Sequence, residues 1–176
     1  NSYLAKKQYL TKLGSEVVDL SKRRLFSKRL VDDSTIRLPW LINSNTFTDM
    51  CTRCGKCSEV CETNIIIKGD GGFPQVDFAQ GECTFCYQCA DVCPEPLFKD
   101  ENATPWNARA SIEESCLAKQ NVECRSCGDM CDTMAIRFKL EIGKVAQPNL
   151  DLGECTGCGA CVAVCPTSSI NVSNLV

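Results

Sequence analysis

The residues able to do chemistry here are 16 cysteines, and all of them fall into four runs. Cys51-x2-Cys54-x2-Cys57-x3-Cys61 is followed by Cys83-x2-Cys86-x2-Cys89-x3-Cys93-Pro94. Cys116-x7-Cys124-x2-Cys127-x3-Cys131 has a longer first gap, and Cys155-x2-Cys158-x2-Cys161-x3-Cys165-Pro166 returns to the regular spacing. Thiols in such number leave three chemistries to weigh: disulfides, zinc or iron–sulfur clusters. Three thiols crowded into one short loop would form strained mutual bridges. Structural zinc usually takes two separated C-x2-C knuckles, not a triplet followed by Cys-Pro. A triplet spaced by two residues suits three corners of an iron–sulfur cube, whose irons prefer soft thiolate ligands.

This spacing is the ligand run of bacterial-type [4Fe–4S] ferredoxins, in which the fourth cysteine of each run serves the neighbouring cluster. Runs therefore work in pairs, and the intervening segments indicate which. Between Cys61 and Cys83 lie the apolar run at Ile65, Ile66 and Ile67, a Gly-rich turn, and the alternating "FPQVDF". Between Cys131 and Cys155, "AIRFKLEIGKVAQPNL" gives two short strands about a glycine turn. Both segments predict hairpins. The stretch from Cys93 to Cys116 is polar and Pro-containing, and predicts a linker with one helical stretch.

The first run is thus expected to pair with the second and the third with the fourth. Cys51, Cys54, Cys57 and Cys93 would hold one [4Fe–4S] cluster, and Cys83, Cys86, Cys89 and Cys61 the next. Cys116, Cys124, Cys127 and Cys165 would hold the third, and Cys155, Cys158, Cys161 and Cys131 the fourth. A nested pairing, first run with fourth and second with third, remains the alternative. At the third run, the long gap is either a loop insertion that leaves the ligand count intact or the mark of a labile or [3Fe–4S] site.

Composition narrows the function. The chain has no histidine, which removes the commonest general base and mixed Cys/His zinc sites together. No Rossmann glycine fingerprint, P-loop or Ser/His/Asp constellation is present, so no substrate site of its own is expected. No apolar run approaches the length of a membrane span. Aromatic residues make up only 7% of the chain, so a large hydrocarbon core is not expected and metal must help hold the fold. Glycines 55, 81, 128, 153, 157 and 159 border the cysteines, where they serve tight turns or let backbone N–H groups approach sulfur. Phe85 and Tyr87, interleaved with Cys86 and Cys89, read as packing that excludes water rather than as an electron conduit.

The stretches "KRRLF", "LPW", "CTRCGKCSEVCETNII", "GECTFCYQCADVCPEPLF" and "CLAKQNVECRSCGDMCDTMAI" resemble the NapF-type ferredoxins, accessory iron–sulfur proteins of the periplasmic nitrate reductase system. The likeness spans roughly residues 18–172, and "VECRSC" in the extended third run is its most specific element. It implies four [4Fe–4S] clusters on the sixteen cysteines and a cytoplasmic role. It also implies a partner, the catalytic molybdenum subunit of the periplasmic nitrate reductase, met before export and helped in iron–sulfur loading or reduction. A general electron-transfer ferredoxin acting between other redox proteins is the second reading. No nucleic-acid partner is expected.

The expected fold is α+β: tandem two-[4Fe–4S] ferredoxin-like modules with short β-hairpins and helices around the clusters, preceded by a basic N-terminal arm. Residues 1–40 would be that arm, partly helical, 41–98 the first module, 99–115 the linker and 116–176 the second module. Residues 1–37 carry nine Lys or Arg against four Asp or Glu, a net of +5, and the remainder ten against eighteen, a net of −8. Within the arm, "SKRRLFSKRL" contains Arg23-Arg24, the beginning of a twin-arginine export signal. Such a signal needs an apolar segment next, whereas Asp32, Asp33 and Arg37 follow here. Lys22, Arg23, Arg24, Lys28 and Arg29 read either as the solvated face of a short helix, with Leu25, Phe26 and Leu30 turned to the body, or as a docking surface for an acidic partner.

Overall fold

The computed structural model describes residues 35–175, so the helix expected around Arg23 and Arg24 lies outside the described residues. Helix α1 (Ser44–Met50) precedes the first cysteine run. Every run then ends in one helical turn that carries its third cysteine: α2 (Lys56–Glu59), α3 (Gln88–Asp91), α4 (Ser126–Asp129) and α5 (Ala160–Ala163). Both expected hairpins form. Strands β1 (Ile66–Lys68) and β2 (Pro74–Val76) pair antiparallel, with Ile66 opposite Val76. Strands β4 (Ile136–Lys139) and β5 (Gln147–Leu150) pair likewise, with Ile136 opposite Leu150. Pro74 and Pro148 are tolerated because two-stranded ribbons consist of edges only, where a missing N–H costs no ladder bond.

The stretch expected to be a linker with a helical turn is extended instead. Residues 108–112 form β3 (Ala108–Ile112), which pairs antiparallel along its whole length with the last strand, β6 (Ile170–Asn174). Its alternation explains the choice, because Ala108 and Ala110 are buried while Arg109 and Ser111 face outward. The first module repeats this plan in reduced form: an antiparallel bridge joins Leu41 to Phe98, and Ile42 N donates to Leu97 O at 2.9 Å.

The boundary drawn for the arm at residue 40 also falls inside the body. Ile36, Leu38 and Trp40 are all buried, and Val76 N donates to Ile36 O at 2.9 Å, adding that segment to the edge of β2. Apolar residues at alternate positions of "IRLPW" are the reason, since one face of an extended segment covers the hairpin.

The described residues all fall in a single compact unit. Phe47, Phe73 and Leu97 form a small cluster against which Cys51 and Cys93 pack; of the two larger cores, one gathers Ile36, Leu38, Ile65, Ile66, Val76 and Phe78, and the other Ala110, Ala135, Ile136 and Ile170. Val162 on α5 and Val172 on β6 pack against both, so the modules share a seam. Cysteines belong to these cores: Cys89 to the first, and Cys127, Cys155 and Cys161 to the second.

Candidate metal centres

Bringing three thiols of a short loop to one side requires backbone that L-residues avoid. In the first, second and fourth runs, the residues immediately before and after the second cysteine lie at positive φ. These are Arg53 and Gly55 (57° and 82°), Phe85 and Tyr87 (54° and 63°), and Gly157 and Gly159 (73° and 85°). Left-handed backbone at a non-glycine residue costs about 1–2 kcal/mol, so the second run needs packing to hold it. Two tryptophans outside the run supply that packing. Trp40 stands edge-on to Phe85 and Tyr87, with centroids 6.1 and 5.0 Å away, and Trp106 stands 5.7 Å from Phe85.

The thiols gather in sets drawn from two runs. Cys51, Cys54, Cys57 and Cys93 line one cavity. Cys61 lines a second one together with Cys83, Cys86 and Cys89, and Trp40 and Tyr87 form part of its wall. In the second module, the charges of Cys116, Cys124 and Cys165 act on Cys127, and those of Cys158, Cys155 and Cys127 act on Cys161. Cys131 packs into the same core as Cys155 and Cys161. All 16 cysteines are free thiols. Among the described residues, no three Cys, Asp or Glu side chains close on a point that would hold one metal ion. Sulfur-only donors around a shared cavity fit a polynuclear iron–sulfur group.

Burial pushes the thiols of Cys57, Cys83 and Cys127 up to about 11, with neighbouring cysteines adding to the effect. It pushes Cys89 and Cys161 up to about 12. Cys165 goes the other way. Burial pushes its thiol up, but hydrogen bonds from Ser169 and Thr167 together outweigh that and hold it below the ordinary value, the Ser169 N–H donating at 3.2 Å.

Raised thiol pKa values stabilise the metal-free protonated fold below about pH 9, and that stability is lost as pH rises through 11 to 12. Iron must displace those protons, so loading releases them and iron is held more tightly as pH rises from 6 to 9. Chelator competition across that range is expected to remove iron most readily at pH 6. A pH-independent iron content would contradict the sign.

The extended third run is not a loose insertion. Residues 117–121 form a turn in which Gln120 N donates to Cys116 O at 3.0 Å. Side chains then lock it to the hairpin: Val145 N donates to Asn121 Oδ1 at 2.9 Å, and Gln147 Nε2 donates to Ala118 O at 2.7 Å. Asn121→Ala is expected to cost about 1 kcal/mol, the net worth of one such bond, read as a lower Tm of the iron-loaded chain.

Sequence reasoning passes over several residues at the site. The hydroxyls of Thr63, Thr133 and Thr167 lie 3.6, 3.7 and 3.8 Å from the sulfurs of Cys61, Cys131 and Cys165. A Cys-x-Thr recurrence after three of the four runs is the signal for them. The second run departs from it: Glu95 follows Cys93-Pro94, and while burial raises the Cys93 thiol, the Glu95 backbone hydrogen bond opposes that rise and the charges of Cys54, Cys51 and, least, Glu95 add to it. Hydrogen bonds to sulfur tune the potential of iron–sulfur groups, so Cys93 has a different electrostatic setting from the other three.

Residues 50–96 and 122–169 each match the 4Fe-4S dicluster domain family, together more than half of the chain. Over 159 residues the chain is 43% identical to the ferredoxin-type protein NapF of Escherichia coli (strain K12), covering 90% of this chain and 97% of that protein. The chain belongs to the NapF-type ferredoxins. The NapF of Haemophilus influenzae is 50% identical over 140 residues, 80% of each chain. The ferredoxin-type protein NapG of Escherichia coli (strain K12) is 31% identical over 151 residues, 74% of this chain and 65% of that one. As a NapF-type ferredoxin, the chain is an iron–sulfur electron-transfer or accessory protein, not an enzyme with a substrate of its own. The second dicluster match starts at residue 122 and so omits Cys116, which the longer gap displaces. In this NapF-type fold Cys116 is buried and its charge acts on Cys127. Among the described residues, no helix is long and apolar enough to cross a membrane.

Proposed function

We propose that the chain carries four [4Fe–4S] clusters and acts in the cytoplasm on the catalytic molybdenum subunit of a periplasmic nitrate reductase before that subunit is exported, assisting its iron–sulfur loading or reduction. The ligand sets would be Cys51, Cys54, Cys57 and Cys93; Cys83, Cys86, Cys89 and Cys61; Cys116, Cys124, Cys127 and Cys165; and Cys155, Cys158, Cys161 and Cys131. When bound, such groups exchange single electrons. The grouping of thiols around shared cavities supports the first two sets, and the action of the charges of Cys116, Cys124 and Cys165 on Cys127 supports the third. The Asp32, Asp33 and Arg37 that follow Arg23-Arg24 support the cytoplasmic site, because they interrupt any apolar export segment.

One observation carries the maturation role over that of a pure carrier. Cys51, Cys57 and Cys93 are half-buried and Cys54 is exposed, so this set has no fully buried thiol, whereas each of the other sets has at least one, the second set beside its own exposed Cys86. A set open to solvent is open to a partner's thiols as well. The transferable iron belongs to this first set, not to the third run, where Cys116 and Cys127 are both buried. A mild chelator is expected to remove about 4 of about 16 iron in a first phase, and Cys54→Ser to abolish that phase. Loss of all iron in one phase would remove the basis for transfer. The partner is tested with labelled iron on the loaded chain. Capture of the metal-free catalytic subunit, with label passing to it, is expected; binding to neither its metal-free nor its filled form would sink the nitrate reductase reading.

A further inference from the structure

The order in which the four thiol sets meet in space differs from their order along the chain. The sequence makes the third run the neighbour of the second. In the fold, the loop of the second run touches the fourth: Cys83 N donates to Cys158 O at 2.8 Å, joining the backbones of two ligand loops directly. Around that bond the seam is tight. Phe78, which follows β2, packs so closely against Gly159 that a Cβ there would fall inside its ring. The Ala108 carbonyl would likewise collide with a Cβ on Gly157.

Trp106 fastens both sides. Its Nε1 donates to Thr156 O at 2.9 Å, inside the loop of the fourth run. Its ring stands edge-on to Phe78 and Phe85, at 6.1 and 5.7 Å, and Phe85 lies inside the loop of the second run. Within each module the sets are joined through its core, Cys57 with Cys89 in the first and Cys127 with Cys161 in the second.

We propose that electrons cross between the modules from the Cys83 set to the Cys158 set, so that the path runs first, second, fourth, third, with Trp106 as the residue that positions the crossing. The inference rests on the four-cluster reading above. The crossing moves one electron and no proton. Iron held by the Cys83 set is oxidised by one electron as iron held by the Cys158 set is reduced by one, and a one-electron donor protein refills the solvent-open first set. The buried third set is then the far terminus. Cys54 of the first set and Cys86 of the second are both exposed, so a partner docking at Cys54 meets the end of the path and one docking at Cys86 its second member.

The test uses the full chain loaded with iron anaerobically. Iron analysis comes first: a content well short of about 16 per chain defeats the four-cluster reading itself, and is distinguishable from failure of the path. Two double variants follow. Cys54→Ser with Cys124→Ser disables the first and third sets, leaving the second and fourth, and Cys54→Ser with Cys158→Ser leaves the second and third. After reduction with dithionite, the electron paramagnetic resonance spectrum of the former is expected to show splitting from two interacting clusters, and that of the latter unsplit signals. Splitting in the latter alone, in both, or in neither overturns the path.

Adding Trp106→Ala to the former is expected to remove the splitting with iron content unchanged. Trp106→Phe, which keeps a ring beside Phe78 but cannot donate to Thr156, is expected to narrow it. Unchanged spectra in both overturn the role of Trp106. Should the double variants lose the remaining iron, Trp106→Ala in the otherwise native chain decides: an altered interaction spectrum at full iron content supports the crossing, and an unaltered one overturns it.

Discussion

Removing iron anaerobically from the loaded chain is expected to abolish its cooperative melting over residues 51–175. The reason lies in what fills the cores. Cys89, Cys127, Cys155 and Cys161 are core members, alongside a thin set of residues such as Ile65, Ile66, Ile136 and Ile170. Each sheet has only two strands, a size that is marginal in water without further support. Each module taken alone is shorter than about 80 residues, a size at which a hydrophobic core rarely supplies more than about 3–5 kcal/mol. Structural zinc supplies about 10–16 kcal/mol to zinc-finger peptides, and thiolate-held iron is expected to outweigh hydrocarbon burial here in the same way. Circular dichroism and thermal melting before and after chelation check this. A cooperative transition retained by the iron-free chain would show that the hydrocarbon cores suffice.

Gly159→Ala is expected to be among the most damaging single-methyl substitutions in the described residues, at about 3 kcal/mol or more. Two costs combine there. Gly159 has φ 85°, and left-handed backbone costs an L-residue about 1–2 kcal/mol. The added methyl also collides with the ring of Phe78, itself buried in the first core, and overpacking of this kind costs about 1–3 kcal/mol. Gly143 is the control. It has φ 79° but nothing within 4 Å of an added Cβ, so Gly143→Ala carries the backbone cost alone. At roughly 2–4 °C per kcal/mol for a chain of this size, the two variants should differ clearly in Tm. Equal shifts would mean that Phe78 moves aside without cost, and that the seam is softer than its packing indicates. Because Gly159 sits between Cys158 and Cys161, the same substitution is expected to weaken the contact between the second and fourth loops.

Some of this molecule is legible in its residues one by one. The donor atoms, their arrangement in four runs, and both inner hairpins follow from short-range patterns. A thiol triplet spaced by two residues and an apolar run beside a glycine turn act over a few residues, where local geometry decides. The membership of residues 36–40 in the first body is written in the alternation of Ile36, Leu38 and Trp40, but is masked by the basic residues before it. Strand β3 is harder to read, because "ARASI" pairs with β6 across nearly the whole second module and its partner cannot be found locally.

The sequence by itself therefore determines which atoms are available to bind metal and the short turns that present them. Only the tertiary structure decides which sets become neighbours, which lies open to solvent, and which residues clamp the loops together. Cys83 meets Cys158 because Phe78, Trp106, Gly157 and Gly159 pack across a seam between distant segments. Cys54 is exposed, whereas β3 lies over Cys155, whose sulfur accepts from Ala110 N at 3.5 Å. Contacts of that kind depend on shape and mutual burial between parts far apart in the chain, and no spacing rule along one segment encodes them.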